Sequence, residues 1–551
     1  MKWEKRGNCT SLEQYFLNNM GVSSLDEINE WFRKSYANKY RIDGLNAAVT
    51  LAKKYLHKPV TIVGDYDTDG VTATSILFQG LKEYGFTDVS YRIPLRFSEG
   101  FGISPKIIDE IDEGLIITCD NGIAGLDAIK KAKRKGLAVI VTDHHEPVVE
   151  KGVPILPAAD CIIDPNALSG SADFAGYCGA GLAYRFICTL FNNDKEHKKK
   201  YLPLAAIGTI GDVMQLREEN YVFVRNGLKL LGDPLCCSEG LRALFSELCL
   251  KSPISSGEIA YKVAPSINAA SRMYDKGASY AVQLLTCMDP LDAVKKASWF
   301  VKNNERRKEA EKTAMCKAET IIEKNEMQKK CPIVLHIDDV PEGIIGIVAG
   351  RLCEKYMVPA LVFTDVSQPE GKIYKGSARS CGDYNIKEAF DRYSHLFIHY
   401  GGHAGAAGMS ILPDNFSSLS AALEKDTCSY HFPDPNVLQY DLDIQPKEIG
   451  GIICEMSKYA PYGEGNEEPV FFLHGFRPCI RYGEYRKFIG KDDSSVKLHG
   501  HNYDVLAFKM GERFKDISET TSLDIIGNLS VNEYKGNFTN QIQVIDFSIH
   551  K

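Results

Sequence analysis

The sequence predicts an α/β protein: a doubly wound parallel sheet, a long connecting helix, a second α/β region and a C-terminal β-barrel. Three observations support this fold class. Short β-branched runs alternate with helical stretches in the first half, which is typical of a parallel sheet. A charge-rich stretch from about 290 to 328 contains no glycine. From about residue 440, short strands separated by glycine and asparagine turns dominate, as in small barrels.

The first half begins with a predicted helical segment, residues 1–55, in which LNAAVTLAKKYL has apolar residues at helical spacing. Residues 56–289 form the predicted sheet domain. Its strands PVTIVGDYDTDG, GLIITCDNGI and LAVIVTDHHEP each end in polar residues, and VTATSILFQGLKEYG and GLDAIKKAKRKG are the helices between them. Because chemistry in such sheets gathers at the carboxyl ends of the strands, we expect the three polar clusters to converge in space.

The second half is predicted to begin with one long helix, residues 290–330, that connects two domains. The alternative is a helix of the second domain that packs along its whole length. Residues 331–432 form a second α/β region with strands PIVLHI, PALVF and HLFIHY, and FPDPN marks the linker that follows. Residues 438–551 then form the barrel.

Composition limits the possible functions. The net charge of −7 and the isoelectric point near 6.1 argue against a wholly basic nucleic-acid coat protein, although a locally basic groove is compatible with an acidic average. No apolar run reaches the length of a membrane span, and the N-terminus lacks the apolar stretch of a signal peptide. The 16 cysteines include no CxxC pair, which argues against a zinc ribbon or thioredoxin-like site. We therefore expect a cytoplasmic protein with reduced cysteines and no membrane association.

Three acidic residues, Asp65, Asp67 and Asp69, alternate along GDYDTDG. Carboxylates this close repel one another unless cations neutralise them. From this segment alone, a solvated acidic turn and an aspartate that caps the following helix are alternative interpretations. A calcium loop of the EF-hand type is disfavoured because a strand precedes the segment and the glutamate ligand is missing.

The remaining strand ends carry similar groups. Asp120 ends the strand in ITCDNG, and Asp143, His144 and His145 end the next one in VTDHHEP. Asp212 follows another apolar run, in GTIGDV. Oxygen and imidazole ligands without thiolates suit Mn²⁺ or Mg²⁺ better than structural zinc. Carboxylates that hold two such ions form a clamp for in-line phosphoryl displacement, so the pattern indicates metal-assisted phosphodiester hydrolysis.

These motifs resemble a known family. GDYDTDG, ITCDNG, VTDHHEP and GTIGDV resemble the four signature motifs of the DHH phosphoesterase superfamily, and GSARS and GGHAGAAG resemble the associated DHHA1 substrate domain. IPLRFSEGFG, VAPSINAASR, PEGIIGIVAGRL and YAPYGEGNEEPVF narrow the resemblance to the RecJ single-strand exonucleases, from about residue 55 to the C-terminus. The resemblance implies a DHH catalytic domain at 56–289, a DHHA1 domain at 331–432 and an OB-fold nucleic-acid-binding domain at 438–551.

Carried over by position, the resemblance implies a set of metal ligands: Asp67, Asp69, Asp120, His144 and Asp212. In it, Asp67 and Asp69 bind separate ions and Asp120 bridges the two. Asp65 is a further ligand or an acid that orients the ligands. Asp143 orients the histidines or caps the turn, with direct ligation as the alternative.

The resemblance also implies a phosphate-binding set: His145, Arg96, Arg272, Ser377, Arg379, Gly401, Gly402 and His403. A phosphate site needs cations and backbone N–H groups, which arginines and a glycine-rich turn supply. We expect GGH to form a tight turn before a small-residue helix, AGAAG, for which helix packing is the alternative role. A polar loop at a strand end is the alternative for the segment around Arg379, and a surface ion pair is the alternative for a single arginine such as Arg96.

In the predicted barrel, aromatic and basic residues interleave over ten positions, as expected of a base-stacking platform over a basic groove. An ordinary strand hairpin has a similar composition. These residues are Tyr482, Tyr485, Arg486, Lys487, Phe488 and Lys491.

The function implied by the resemblance is a two-metal 5′→3′ exonuclease that degrades single-stranded DNA with a free 5′ end to 5′-mononucleotides in recombination and repair. Implied partners are a single-strand-binding protein and a helicase. A DHH-family nano-RNase or cyclic-dinucleotide phosphodiesterase is disfavoured by the C-terminal barrel, and an inactive Cdc45-like scaffold by the complete ligand set. Three residues depart from the family pattern without removing a ligand: Gly211 for alanine, Gln215 for proline and Ser271 for glycine.

Overall fold

The computed structural model describes residues 2–368, 371–490, 492–534 and 537–550. Its contacts divide the chain into two compact units. One unit contains the chain up to Lys39, Gln215–Arg225 and the chain from Asn436 onward, and the other contains Tyr40–Met214 and Asn226–Pro435. Within the described ranges, no helix is both long and apolar enough to span a membrane.

The N-terminal segment is not entirely helical. Its elements are strand β1 (Lys2–Lys5) and helices α1 (Leu12–Met20) and α2 (Leu25–Tyr36). The expectation of helix was wrong for β1, which pairs in parallel with residues 437–440. The Trp3 indole N–H donates to Asp546 at 2.9 Å and its ring contacts Phe472. This strand is stabilised by partners more than 430 positions away in the chain, so no local pattern indicates it.

The predicted doubly wound sheet is confirmed, and all of its strand pairs are parallel. In order across the sheet the strands are β3, β2, β4, β5 and β8. In chain order, the elements of this region are α3 (Leu45–Lys53), β2 (Val60–Val63), α4 (Thr68–Tyr84), β3 (Val89–Arg92), α5 (Pro105–Asp109), β4 (Leu115–Cys119), α6 (Leu126–Arg134), β5 (Ala138–Thr142), the hairpin β6 (Val148–Glu150) and β7 (Val153–Ile155), and β8 (Cys161–Ile163). The strand order reverses between β2 and β4, which makes the gap between their carboxyl ends the topological switch point where ligands bind in such sheets.

Helix α3 belongs to this sheet region rather than to the N-terminal segment, because it packs against β8. Gly44 begins the helix with φ +78°, and a methyl group there would lie 2.0 Å from the Ile162 carbonyl oxygen. The approach is therefore possible only for glycine. Strands β4 and β5 are buried along their whole length, as expected for strands covered on both faces.

A helical region follows the sheet. Its elements are α7 (Gly179–Leu190), α8 (Lys195–Gly211), α9 (Glu218–Leu230), α10 (Glu239–Glu247), α11 (Ser256–Glu258), a π-helical turn (Ile259–Val263), α12 (Ala264–Met273), α13 (Gly277–Leu285) and α14 (Pro290–Lys324). The long helix α14 is capped by the Asp289 side chain. Its first half packs against α10 and α12 and its second half against the next sheet. Its whole length is thus used for packing, and it carries the chain from the first sheet to the second.

The second α/β region is a mixed sheet in the order β12, β13, β11, β10 and β9. Its elements are β9 (Ile333–His336), α15 (Glu342–Tyr356), β10 (Ala360–Gln368), β11 (Gly371–Arg379), α16 (Ile386–Arg392), β12 (His399–His403), β13 (Ala406–Ile411) and α17 (Phe416–Thr427). The expected tight turn at GGH and helix over AGAAG were both wrong. Residues 401–403 end strand β12, and residues 406–411 form β13, which pairs with both β11 and β12. The alanines favour a helix locally, but these backbone pairings on both sides override that preference.

The C-terminal region contains β14 (Val437–Tyr440), β15 (Leu442–Ile444), α18 (Ile449–Met456), β16 (Phe471–Phe476), β17 (Arg486–Ile489), β18 (Ser495–His499), β19 (Tyr503–Ala507), β20 (Leu523–Tyr534) and β21 (Asn537–Ile549). Seven strands form one mixed sheet in the order β15, β16, β20, β21, β19, β18 and β17. A register shift between Ile526 and Gly527 bends the long β20–β21 pair. The predicted β-rich C-terminal domain is therefore present.

Candidate active site

The polar clusters that follow β2, β4 and β5 meet at one edge of the first sheet. Asp65 and Asp67 follow β2, Asp120 follows β4, and His144 and His145 lie in the loop after β5. These three strands are neighbours and run in the same direction. The convergence expected from sequence follows directly from this topology.

Asp69 is held by the N-terminus of α7. Its two carboxylate oxygens accept hydrogen bonds from the backbone N–H groups of Gly179, at 2.6 Å, and Ala180, at 2.8 Å. Unpaired N–H groups at a helix N-terminus favour a negative charge. Asp67 has a second local role, because its side chain caps α4 by accepting a hydrogen bond from the Gly70 N–H at 3.0 Å. The capping interpretation of this segment is thus correct for Asp67.

Asp120 occupies the centre of the cluster. Its φ of +62° lies in the left-handed region, which aspartate tolerates better than most residues. Its carboxylate lies 3.0 Å from His144 Nε2. The backbone of Gly179 lies so close that a methyl group there would lie 2.5 Å from Asp120 Cβ. The N-terminus of α7 therefore fixes both Asp69 and Asp120.

Asp212 enters the cluster from the end of α8. His144 Nε2 lies 3.7 Å from an Asp212 oxygen and 3.8 Å from an Asp69 oxygen. Val213, the next residue, has φ +56°, a strained conformation for a β-branched side chain. Such strain at the end of a helix is typical of a functional site.

The ligand atoms fall into overlapping groups, in each of which they lie within 4.8 Å of one another. One group contains Asp65, Asp67 and Asp120. A second contains Asp69, His144 and Asp212, and a third joins Asp120 to the histidines 144 and 145. Asp120 therefore lies between an all-carboxylate group and a group that includes imidazole.

The electrostatics of the cluster call for cations. Burial, followed by repulsion from neighbouring carboxylates, raises the pKa of Asp65, Asp67 and Asp120, and raises that of Asp212 to about 9. One Asp65 oxygen is buried and has no hydrogen-bond partner among the described residues. A set of oxygen and imidazole donors whose carboxylates repel one another when ionised, together with an orphaned oxygen, fits hard divalent cations such as Mg²⁺ or Mn²⁺.

Asp143 orients the histidines and is absent from the ligand groups above. Its carboxylate accepts hydrogen bonds from the backbone N–H groups of Ile123 and His144 and from His145 Nδ1 at 2.7 Å. Although burial opposes both charges, this contact lowers the pKa of Asp143 and helps to raise that of His145 to about 9. His145 is therefore protonated at neutral pH and can donate from Nε2.

Two buried residues near the site were missed in the sequence. Asp164 follows β8 at the same sheet edge, and one of its oxygens is buried without a hydrogen-bond partner among the described residues. Burial, together with the charge of Asp143, raises the pKa of Asp164 to about 8. Asn121 bonds the strand ends to the loop before α5, accepting from Ile103 N–H and donating to Val63. The strand-end rule would have identified Asp164, but three apolar residues were too short a run to indicate β8.

Of the three arginines expected from the resemblance, Arg272 lies within electrostatic range of both Arg96 and Arg379. The Arg96 guanidinium lies over the Tyr66 ring at 4.6 Å. Burial, then the charges of Arg96 and Arg379, lower the pKa of Arg272 to about 9. Arg379 donates to Ser377 Oγ at 3.2 Å. Within the described part of the chain, none of the three forms a salt bridge. A cluster of cations without acidic partners is suited to an anion such as phosphate.

A cleft of about 890 Å³ lies between the first sheet and the mixed sheet, both of which belong to the unit Tyr40–Met214 and Asn226–Pro435. Phe101, His145 and the β12–β13 hairpin line it. The His403 ring faces that of His145, with centroids 6.2 Å apart and planes 18° apart. A methyl group at Gly401 would meet nothing within 4 Å, so this strand presents open backbone to the cleft. The hairpin thus places Gly401, Gly402 and His403 across the cleft from the loop that carries His145.

The aromatic and basic residues predicted in the barrel have mixed positions. Tyr482 is 92% exposed in a turn. Arg486 donates to the carbonyl oxygens of Phe514, Lys515 and Ile517, so it supports the fold of this domain. Lys491 lies outside the described residues.

Comparison with known proteins identifies the three regions. Residues 59–209 match the model of the DHH family, N-terminal domain; residues 330–427 match the DHHA1 domain; and residues 440–546 match the RecJ OB domain. The second and third matches agree with the mixed sheet and with the C-terminal sheet.

Several relatives that match most of this chain carry the name single-stranded-DNA-specific exonuclease RecJ. The Thermus thermophilus protein is 31% identical over 92% of this chain and 71% of its own length. The Escherichia coli protein is 28% identical over 96% of this chain and 93% of its own length. The Bacillus subtilis protein is 30% identical, and this chain spans 64% of its length. The crystal structure of Thermus thermophilus RecJ in complex with Mn²⁺ superposes with a TM-score of 0.77 at 27% identity, over 99% of this chain and 79% of that one. A crystal structure of exonuclease RecJ bound to manganese superposes with a TM-score of 0.60 at 31% identity, over 72% of this chain and 96% of that one.

Proposed function

Because this chain belongs to the RecJ family of exonucleases, we propose that it is a metal-dependent exonuclease of single-stranded DNA. One observation supports this function most: the two ligand groups that meet at Asp120 adjoin a cluster of arginines without acidic partners. Divalent ions would neutralise the carboxylates, and a phosphate group would neutralise the arginines beside them. A phosphodiester is the substrate that satisfies both.

In the proposed site, Asp67 and Asp69 would serve as ligands in separate divalent-ion sites for Mn²⁺ or Mg²⁺, and Asp120 would be a ligand shared between them. His144 and Asp212 complete the Asp69 group, and Asp65 supplies a further oxygen to the Asp67 group. Bound there, two divalent ions lower the pKa of water and offset negative charge on the phosphate oxygens. Gly179 and Ala180 orient the Asp69 carboxylate by donating to both of its oxygens.

The chain's own cations position the substrate. His145, kept protonated and oriented by Asp143, donates to an oxygen of the scissile phosphate. Arg96, Arg272 and Arg379, with the Ser377 hydroxyl, hold a phosphate of the same strand. The open backbone at Gly401 and the His403 ring let the strand approach from the opposite wall.

The finer features of the activity rest on the family resemblance. We infer 5′→3′ polarity, release of 5′-mononucleotides, and a role in recombination and repair. A single-strand-binding protein and a helicase are proposed partners, and the cytoplasm is the proposed location. The proposed domains are DHH at 56–289, preceded by α3, DHHA1 at 331–432 and OB at 438–551. The segment 290–330, in which helix α14 ends at Lys324, joins the first two.

A labelled-strand assay tests the proposal. With Mn²⁺, a 5′-labelled strand should lose its label as mononucleotide at once, whereas a 3′-labelled strand should shorten progressively. Asp120→Asn should abolish both signals, and Asp127→Asn, an exposed aspartate on α6, should leave them unchanged. Full activity of Asp120→Asn would remove the shared role of that carboxylate. Faster cleavage of a dinucleotide than of a long strand would favour the nano-RNase alternative instead.

A further inference from the structure

The arginines of the proposed phosphate site lie on different elements that are held apart by one helix. Arg272 lies on α12 and donates to the Gly343 carbonyl oxygen of α15 at 3.1 Å. A methyl group at Gly343 would lie 2.2 Å from the Arg272 carbonyl oxygen, and one at Gly346 would lie 3.0 Å from Ser377 Oγ. Helix α15 therefore lies between α12 and β11, the strand of Arg379. Its placement fixes the spacing of Arg272 and Arg379.

A buried polar chain joins α12 to α15 through α14. The Asn304 side chain donates to Ser266 Oγ on α12 at 3.0 Å and accepts from Arg307 at 2.9 and 3.1 Å. Arg307 donates in turn to one oxygen of Glu311 at 2.6 Å. The other Glu311 oxygen pairs with Arg351 on α15. One continuous set of polar contacts thus spans all three helices.

These buried polar contacts stabilise the packing of the three helices less than apolar contacts would. Glu311 is 3% exposed and Asn304 2%. Buried ion pairs add little net stability over apolar residues of similar size, because desolvation offsets their attraction. Their geometry, in contrast, is specific. We propose that Glu311 and Arg351 are positioning residues that dock α15 on α14 and so set the spacing of Arg272 and Arg379 for the phosphate of the substrate strand.

The inference rests on the proposed function, and one competing explanation exists. The Arg351 side chain is 59% exposed, and the competing explanation is that it contacts DNA directly. The two explanations differ in sign at Glu311. Removing a negative charge near a DNA-binding cleft strengthens attraction of the strand by ordinary electrostatics, whereas loss of a positioning contact weakens binding.

The test compares Glu311→Gln and Arg351→Ala with the wild type in KM and kcat on a single strand with Mn²⁺. Lys308→Ala is the matched control, because it removes one positive charge from the same helix, where Lys308 pairs with Glu305. We expect both variants to raise KM about 3- to 10-fold with kcat within twofold, and the control to leave KM unchanged. An unchanged or lower KM for Glu311→Gln would overturn the inference.

Two further measurements separate this inference from the proposed function. In the Arg379→Ala background, Arg351→Ala should add no further increase in KM, because its effect acts through Arg379; additive effects would contradict the positioning role. The Kd of a fluorescent single strand in EDTA should follow the same order as KM. That binding assay tests the inference even if the wild type cleaves no DNA, an outcome that would refute only the proposed function.

Discussion

The close packing of α7 against the acid cluster makes Gly179→Ala the most informative substitution. Its φ is not in the left-handed region, so the backbone itself tolerates alanine. The new methyl group, however, would lie 2.5 Å from Asp120 Cβ and 3.0 Å from its Cγ. The N–H of the same residue donates to Asp69 at 2.6 Å. One methyl group thus disturbs two carboxylates of the proposed metal site.

The size of the effect follows from the geometry. Non-bonded carbon atoms are separated by about 3.5 to 4.0 Å, so Asp120 or the first turn of α7 must move by about 1 Å. A displacement of this size in a reacting constellation costs about 10²-fold in rate. Overpacking costs about 1 to 3 kcal/mol of stability, less than the stability of a typical domain. We therefore expect a folded protein whose kcat is lower by about 30- to 100-fold.

The assay is cleavage of a 5′-labelled single strand over a Mn²⁺ titration, with thermal unfolding measured on the same samples. Gly451→Ala in α18 is the control, because a methyl group there meets nothing within 4 Å. The variant should need more Mn²⁺ for half-maximal activity and should gain less thermal stability from Mn²⁺ than the wild type. A kcat within twofold of wild type, with an unchanged Mn²⁺ midpoint, would refute the reasoning.

Three other predictions follow from the same contacts. Without metal, Asp120→Asn should become more stable than the wild type as pH rises. Burial raises the pKa of Asp120, so the wild type keeps its full stability below the unfolded-state pKa near 4 and loses at most about 1.4 kcal/mol per pH unit as pH rises toward the folded-state pKa. Thermal unfolding in EDTA from pH 5 to 8 measures the stability difference, and a difference that stays constant with pH would contradict the prediction. Arg379→Ala should raise KM about 10-fold or more with little change in kcat, because it removes a charged contact to phosphate worth about 1.5 to 3 kcal/mol. Steady-state kinetics measure both constants, with Lys372→Ala as the control, and a fall in kcat alone would place Arg379 in the chemical step. Gly211→Ala should cost about 1 to 3 kcal/mol, because its methyl would lie 2.7 Å from Thr68 Cγ2, and Thr68→Ser should restore most of that loss; equal stabilities of the single and double variants would exclude the clash.

The acidic half of the site could be predicted from sequence because parallel topology brings strand ends together. Asp65, Asp120 and His144 lie far apart in the chain, but β2, β4 and β5 are neighbours. Once the three runs are recognised as parallel strands, convergence of their ends follows. The role of Asp143 as a partner of His145 matches the expectation from sequence, and Asp67 takes the capping role that was an alternative for its segment.

Elements held by distant pairing could not be predicted in this way. Strand β1 is stabilised by β14, and the AGAAG segment by β11 and β12. In both cases the local composition gives no sign of the partner strand. The Asn304–Arg307–Glu311 chain was also invisible, because charged residues on a long helix usually face solvent and only the packing of α12 and α15 shows that these are buried.

The placement of charge gives the site its dependence on ligands. Carboxylates gather on the side of the first sheet, and arginines without acidic partners gather beside them. Each cluster is unfavourable by itself, since like charges in a low-dielectric environment repel and lack full solvation. Arg96 is within electrostatic range of Asp65 and Arg272 of Asp67, but no salt bridge joins the two clusters within the described residues. Divalent ions can relieve only the first cluster, and a phosphodiester only the second. The folded chain therefore carries a local instability that both ligands together remove, which is the expected signature of a site shaped for their joint binding.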